Sequence, residues 1–352
     1  MVGATDPATA PRLSGIEPGR PVASYRTNLV TALLGTWFTV GLFLDAWAHN
    51  NKASLETFFT PWHGVFYSGF AATAGWIAWT IWRNVLKGRT RLAAVPVGYG
   101  ASLVALVGFA VAGLGDLIWH TVYGIEQDLD ILFSPTHLGL IASMFVIVTT
   151  PVRAAWADRS SPAAPGLRRL LPAVLSVALA TTLVLLSLQY ANALVFQSGD
   201  VLVAMAMVEE GFTATVVSSM AMTNLLLIVP LLTMARRWEL PLGTATILYL
   251  AAGSLAGAIT GFANEEMIIG FLIGGVCVDV LARWLHPTPW RLARYRTFAG
   301  LAPLATWAIY IATAYATTDA VVVAPPEAGG GQASPVVELY TGVPVVQALL
   351  GL

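Results

Sequence analysis

The stretch NLVTALLGTWFTVGLFLDAWAH, residues 28–49, decides the class of the fold. A helix needs about 20 apolar residues to cross the hydrocarbon core of a bilayer, and this run is long enough. Residues 28–44 carry no ionisable side chain, yet Asp45 and His49 close the run four residues apart. Ionisable groups at membrane depth are costly and mark function. The whole chain agrees with a membrane setting. Of its 352 residues, 57% are hydrophobic and 11% charged, with a mean hydropathy of +0.72. A soluble domain carries about 25% charged residues. A net charge of -1 provides no basic field for nucleic acid.

Apolar windows recur at 28–49, 62–82, 95–120, 135–155, 169–190, 213–235, 241–261, 266–285 and 298–318. They predict an all-α integral membrane protein of about nine transmembrane helices. The segment 201–208, VLVAMAMV, is too short to span and is expected in the interface or as an outward extension of the sixth helix. Charge sets the direction. With the N-terminus in the cytoplasm, Arg12, Arg20 and Arg26 precede helix one, and Arg83, Lys87, Arg89 and Arg91 follow helix two. Arg153, Arg159, Arg168 and Arg169 follow helix four, Arg236 and Arg237 helix six, and Arg283, Arg291, Arg294 and Arg296 helix eight. Only Lys52, of 18 Lys and Arg, is then outside, as the positive-inside rule asks.

The expected organisation has four parts. Residues 1–27 are a Pro/Gly/Ala-rich, disordered cytoplasmic N-terminus without a cleavable signal, so the first span is an uncleaved anchor. Residues 28–155 form a duplicated hairpin domain, 156–318 a second helical bundle, and 319–352 an external Pro/Gly-rich tail whose apolar end folds back onto the outer face. The single cysteine, Cys277, rules out an internal disulfide framework and reads as a small core residue.

The duplication carries the chemistry. The first copy reads Asp45-Ala-Trp-Ala-His49, then residues 50–62, then His63 inside FFTPWHG. The second reads Asp116-Leu-Ile-Trp-His120, then residues 121–136, then His137 inside LFSPTHLG. Residues four apart on a helix share a face. Thr60 and Ser134 are helix N-caps, and Pro61 and Pro135 suit the first helical turn. Each hairpin therefore offers two imidazoles and one carboxylate at one depth, near the outer boundary. Four of the five histidines fall in these copies. Two histidines and a carboxylate form a metal constellation; imidazole suits copper, zinc, iron and nickel alike, and three protein ligands leave a coordination position open. The fifth, His286, is an interfacial residue beside tryptophans.

Other polar residues have structural readings. Gly261, Asn264, Glu265 and Glu266 describe a helix end and the next helix's start; Glu209, Glu210, Glu265 and Glu266 are also candidates for an acidic vestibule. Met205, Met207, Met220, Met222 and Met267 read as core before copper ligands. Asp279 and Arg283 are expected to pair. Asn50, Glu56, Glu126, Asp128 and Asp130 are candidate second-layer acceptors for the imidazoles.

The two motifs resemble the C subunit of the copper membrane monooxygenases, the particulate methane and ammonia monooxygenases. DAWAHNNKASLETFFTPWH is similar to that subunit's Asp-x3-His and TP-x-H triad, and DLIWHTVYGIEQDLDILFSPTH stands in the place of its second triad. The resemblance covers residues 28–155. It implies copper at Asp45, His49 and His63 and at Asp116, His120 and His137. Asp116 replaces the family's asparagine, and the later helices show no match.

Three functions follow as expectations. The first is a copper-dependent oxidoreductase component at the cell membrane, monooxygenase-like, acting on oxygen or a small apolar substrate with metal sites facing the periplasmic or extracellular side. The second is a copper uptake, storage or delivery protein without catalysis. The third is an ion-coupled transporter, which the clustering of polar residues at the outer ends disfavours. The expected partners are membrane lipid, a metal ion, and other membrane subunits or a homo-oligomer, and no nucleic acid.

Overall fold

A computed structural model describes residues 19–52, 59–124, 133–318, 323–324, 331–332 and 337–352. The described chain is helical apart from two two-residue strands, Val323–Ala324 and Gly331–Gln332, paired antiparallel. Each of the nine apolar windows is a helix. They are α1 (Tyr25–Asn51), α2 (Pro61–Leu86), α3 (Gly100–Tyr123), α4 (Pro135–Val148) continued by α5 (Thr150–Ala157), α6 (Leu167–Ser187), α8 (Glu210–Ala235), α9 (Thr244–Thr260), α10 (Glu265–Leu285) and α11 (Leu292–Thr317). Two further helices are α7 (Ser198–Met205) and α12 (Val337–Gly351). Among the described residues seven helices are long and apolar enough to cross a bilayer, as in a multi-pass membrane protein. Outside that set, α2 is long enough but rich in Trp, and α9 has 17 residues.

Local chemistry sets the boundaries that matter for the site. Ser24 caps α1, accepting a hydrogen bond from the Thr27 amide. Thr60 and Ser134 cap α2 and α4 by accepting from the amides of His63 and His137. Such caps contribute about 1 kcal/mol each. The prolines at the starts of α2 and α4 lack only an N–H that would have no helical partner. Pro151 has the opposite effect in mid-span. It breaks the run at Thr149 and divides α4 from α5.

Hairpin α1–α2 closes through glycine. A Cβ on Gly41 would stand 2.6 Å from the Phe66 Cα, and one on Gly69 would stand 2.6 Å from the Phe38 Cα. Only hydrogen fits at either crossing, so the backbones meet, as small residues permit in membrane bundles. Hairpin α3–α4 lies beside it. On α3 the faces separate cleanly: Ser102, Ala105, Phe109, Gly113, Asp116 and His120 are buried, while Val104, Val107, Val111, Leu114 and Ile118 are exposed. The second set is a stripe at helical spacing, suited to acyl chains. Phe38, Phe66 and Phe109 form an aromatic floor between the hairpins, with ring centroids 5.0–5.7 Å apart.

Helix α1 also packs on α6 and α9, which joins the hairpins to the larger core of α6 and α8–α11. Within it, α7 is buried through Val201, Leu202, Ala204 and Met205 and packs on α8 and α11 as a helix separate from the sixth span. The final residues form α12 rather than a tail on the surface. Tyr340 meets Tyr315 near the end of α11, and Gly351 is wedged against Ala299 seven residues from its start, so α12 runs back along α11. Asp279 does not serve Arg283. It is buried, and its carboxylate accepts from the amides of Ala245 and Thr246 and from the Thr246 hydroxyl, at 2.6–2.9 Å, closing the first turn of α9.

Candidate metal centre

Each triad assembles from one hairpin. Asp45 and His49 lie in the last two turns of α1, and His63 in the first turn of α2. Asp116 and His120 lie in the last two turns of α3, and His137 in the first turn of α4. In both groups the three ligand atoms fall within 4.8 Å of one another, so each can hold a metal ion.

The separations are compatible with a shared metal ion. His63 Nε2 is 3.4 Å from Asp45 Oδ2. His120 and His137 Nε2 are 3.5 and 3.3 Å from Asp116 Oδ1. A charge-assisted N–H···O bond is shorter, about 2.7–2.9 Å. Two ligand atoms bound to one tetrahedral ion at about 2.1 Å stand about 3.4 Å apart. The observed values match the second case. His49 Nε2, at 3.9 Å from Asp45 Oδ2, leaves the first site more open.

In the second triad both imidazoles have an oxygen beside Nδ1 and turn Nε2 toward Asp116. His137 Nδ1 is 2.8 Å from Ser134 Oγ, and His120 Nδ1 faces the Gly124 carbonyl at 3.4 Å. The Gly124 carbonyl can only accept, which favours the His120 tautomer with its Nε2 lone pair free for an ion, and the Ser134 hydroxyl can accept from His137 Nδ1 in the same way. Asp45 Oδ1 is buried and has no hydrogen-bond partner among the described residues. Leaving a buried carboxylate oxygen unsatisfied costs more than about 1–3 kcal/mol, which a cation offsets. Donor set and orphaned oxygen both fit a divalent or cuprous metal.

The two triads are neighbours. The His63 and His120 rings are 6.3 Å apart, and one cavity of about 60 Å³ has all three ligands of the first triad and Asp116 and His137 of the second in its wall. The rest of the wall is mainly apolar, with Leu42, Phe66, Leu140, Ile141, Met144 and Leu186. That volume admits a few water-sized molecules and no large substrate. No protein family, curated protein or solved structure matches this chain.

Several candidates lie elsewhere. Glu56, Glu126, Asp128 and Asp130 are outside the described residues. Asn50 lines the cavity, but its amide donates to the Ala46 carbonyl of its own helix. Met205, Met220 and Met267 are buried core, and Glu209, Glu210, Glu265 and Glu266 are exposed. Asn264 stands at the start of α10 without capping it; its side chain bridges the Thr260 hydroxyl and the Leu194 carbonyl. His286 lies 3.4 Å from Glu239. Three contributors escaped the sequence reading. Thr136 donates to Asp116 Oδ1 at 3.0 Å, the Tyr67 hydroxyl faces Asp116 Oδ2 at 3.5 Å, and Gln189 lines the cavity from beyond α6. Thr136 sits inside the second motif and Tyr67 one turn after His63, so helical spacing was the available signal for both.

Proposed function

We propose that this chain is a copper-binding membrane protein related to monooxygenase C subunits, a redox component acting on dioxygen or a small apolar molecule at the outer face of the cell membrane. The observation that carries the reading is the convergence of two Asp-His-His triads on one small cavity with otherwise mainly apolar walls. Two imidazoles and a carboxylate suit copper, iron and zinc alike. Copper is preferred because the duplicated motif resembles that family. Open coordination positions suit chemistry or exchange more than a closed structural role. The proposed topology has nine spans, α2 and α9 joining the seven, with the N-terminus inside. The distribution of Lys and Arg supports this topology, with the ligand-bearing ends outside. Membrane lipid surrounds the bundle, and further membrane subunits or a second copy are its proposed protein partners.

A second reading, copper uptake, storage or delivery, is favoured by the Met144 thioether in the cavity wall and by the open oxygen of Asp45. Elemental analysis and electron paramagnetic resonance of the detergent-extracted protein test the common ground. Copper is expected in the wild type, with at least one ion lost from the His49→Ala/His63→Ala variant; undiminished copper there overturns the proposal. Oxygen consumption by the Cu(I)-loaded protein separates the redox reading from the handling reading.

A further inference from the structure

The two triads come from matching motifs, yet the residues around them differ. Asp116 is 1% exposed and has a hydroxyl at each oxygen: Thr136 donates to Oδ1 at 3.0 Å, and Tyr67 faces Oδ2 at 3.5 Å. Asp45 is 8% exposed, and its Oδ1 has no hydrogen-bond partner among the described residues.

Motif register explains the difference. When His63 is aligned with His137, the residue before the histidine is Trp62 in the first copy and Thr136 in the second. Trp62 has no hydroxyl, and its ring packs edge-on against Trp47 at 5.4 Å. One turn after the histidine stand Tyr67 and Ile141. Tyr67 leaves its own hairpin and reaches the carboxylate of the other. Gly113 admits it, since a Cβ there would be 3.0 Å from the Tyr67 ring. Ile141 lines the shared cavity and returns no hydroxyl to Asp45. Both hydroxyls thus serve one carboxylate. Ser134 and Gly124 oxygens also stand beside the Nδ1 atoms of His137 and His120.

We infer that the centre is asymmetric: Asp116, His120 and His137 form the tight, resident site, and Asp45, His49 and His63 form the exchangeable site that meets incoming ions or ligands from the cavity. This rests on the metal-binding reading above. Partners already holding a carboxylate and an imidazole in ligating geometry reduce the ordering that binding requires. Among the described residues the first site has no such partner at Asp45 Oδ1, is wider at His49, and presents all three ligands to the cavity.

The test is a competition titration of the metal-stripped full-length protein with Cu(I), using a chromophoric Cu(I) chelator. Wild type is expected to take two ions with affinities at least about 10-fold apart, the scale of an outer-partner effect. The tight ion should survive in Asp45→Ala/His49→Ala and be lost in His120→Ala/His137→Ala. Thr136→Val keeps shape and removes only the hydroxyl, so it guards against misfolding in the multiple variants. It should weaken the tight ion about 10- to 100-fold and leave the weaker one unchanged. Two equal affinities, or a tight ion that persists without His120 and His137, overturn the asymmetry. A wild type that takes no copper overturns the metal-binding reading itself.

Discussion

The imidazoles of His63 and His120 stand 6.3 Å apart although different hairpins carry them. His63 belongs to the first triad and His120 to the second, so the ligand sets meet across the α2–α3 contact. Two paramagnetic ions held there are close enough to sense each other. The fully Cu(II)-loaded protein is expected to give a dipolar-broadened paramagnetic resonance spectrum, and Asp45→Ala/His49→Ala a sharper one. Identical line shapes in the two proteins would mean that the triads act as isolated centres.

The first hairpin depends on close backbone approach. At Gly41 an added side chain meets the Phe66 backbone, which cannot rotate away as a side-chain tip can. Gly41→Leu should therefore force α1 from α2, at a cost of about 1–3 kcal/mol for overpacking. It should also separate Asp45 from His63. Gly75→Ala is the matched control, because nothing lies within 4 Å of the added Cβ. Thermal unfolding followed by circular dichroism, with metal per chain on the same samples, checks both effects. A Gly41→Leu protein with wild-type melting and full metal content would refute the packing argument.

Asp279 lies in the second bundle and holds the start of α9. Its carboxylate accepts three hydrogen bonds from the first turn of α9, two of them from backbone amides. Asp279→Ala leaves that turn's donors without their acceptor, and the expected cost is about 2–3 kcal/mol. Metal stoichiometry should not change, which separates this buried acid from Asp45 and Asp116. Loss of metal from a variant that melts like wild type would give Asp279 a role beyond the cap.

Acid should release the metal. Each ion is argued to bind two neutral imidazoles, and protons compete for the same lone pairs. The sign follows: ligands that must be unprotonated bind fully above their free pKa, about 6.5 for histidine, and lose affinity as pH falls below it. With two imidazoles per ion, the loss approaches about 100-fold per pH unit. Copper retention after dialysis across pH 7.5 to 5 measures it. Retention independent of pH would show that the histidines are not the ligands.

Much of the fold was legible because lipid imposes a simple rule: long apolar runs must be helices, and every expected window is one. The triads were legible because helical spacing and the Thr60 and Ser134 caps fix where each histidine enters. Contacts between elements were not. Pairing of Asp279 with Arg283 satisfied the spacing rule, yet the carboxylate found a better partner in amides of a helix 33–34 residues away. The Tyr67 contact with Asp116 crosses between hairpins and depends on the space at Gly113, which no periodicity reveals. The burial of α7 likewise depends on what α8 and α11 offer it.

The proposed orientation can be tested with single cysteines in a Cys277→Ala background. Lys52 is exposed just after α1, beside the Asp45 end, with its ammonium 4.9 Å from the Trp47 ring. Arg236 is exposed at the opposite end, after α8. The positive-inside rule puts Arg236 in the cytoplasm with the 16 other Lys and Arg of that face, and Lys52 outside. A membrane-impermeant maleimide applied to intact cells should label Lys52→Cys and leave Arg236→Cys unlabelled until the membrane is permeabilised. The reverse pattern would turn the bundle over and place both triads at the cytoplasmic face, where extracellular ions and substrates would not reach the cavity directly.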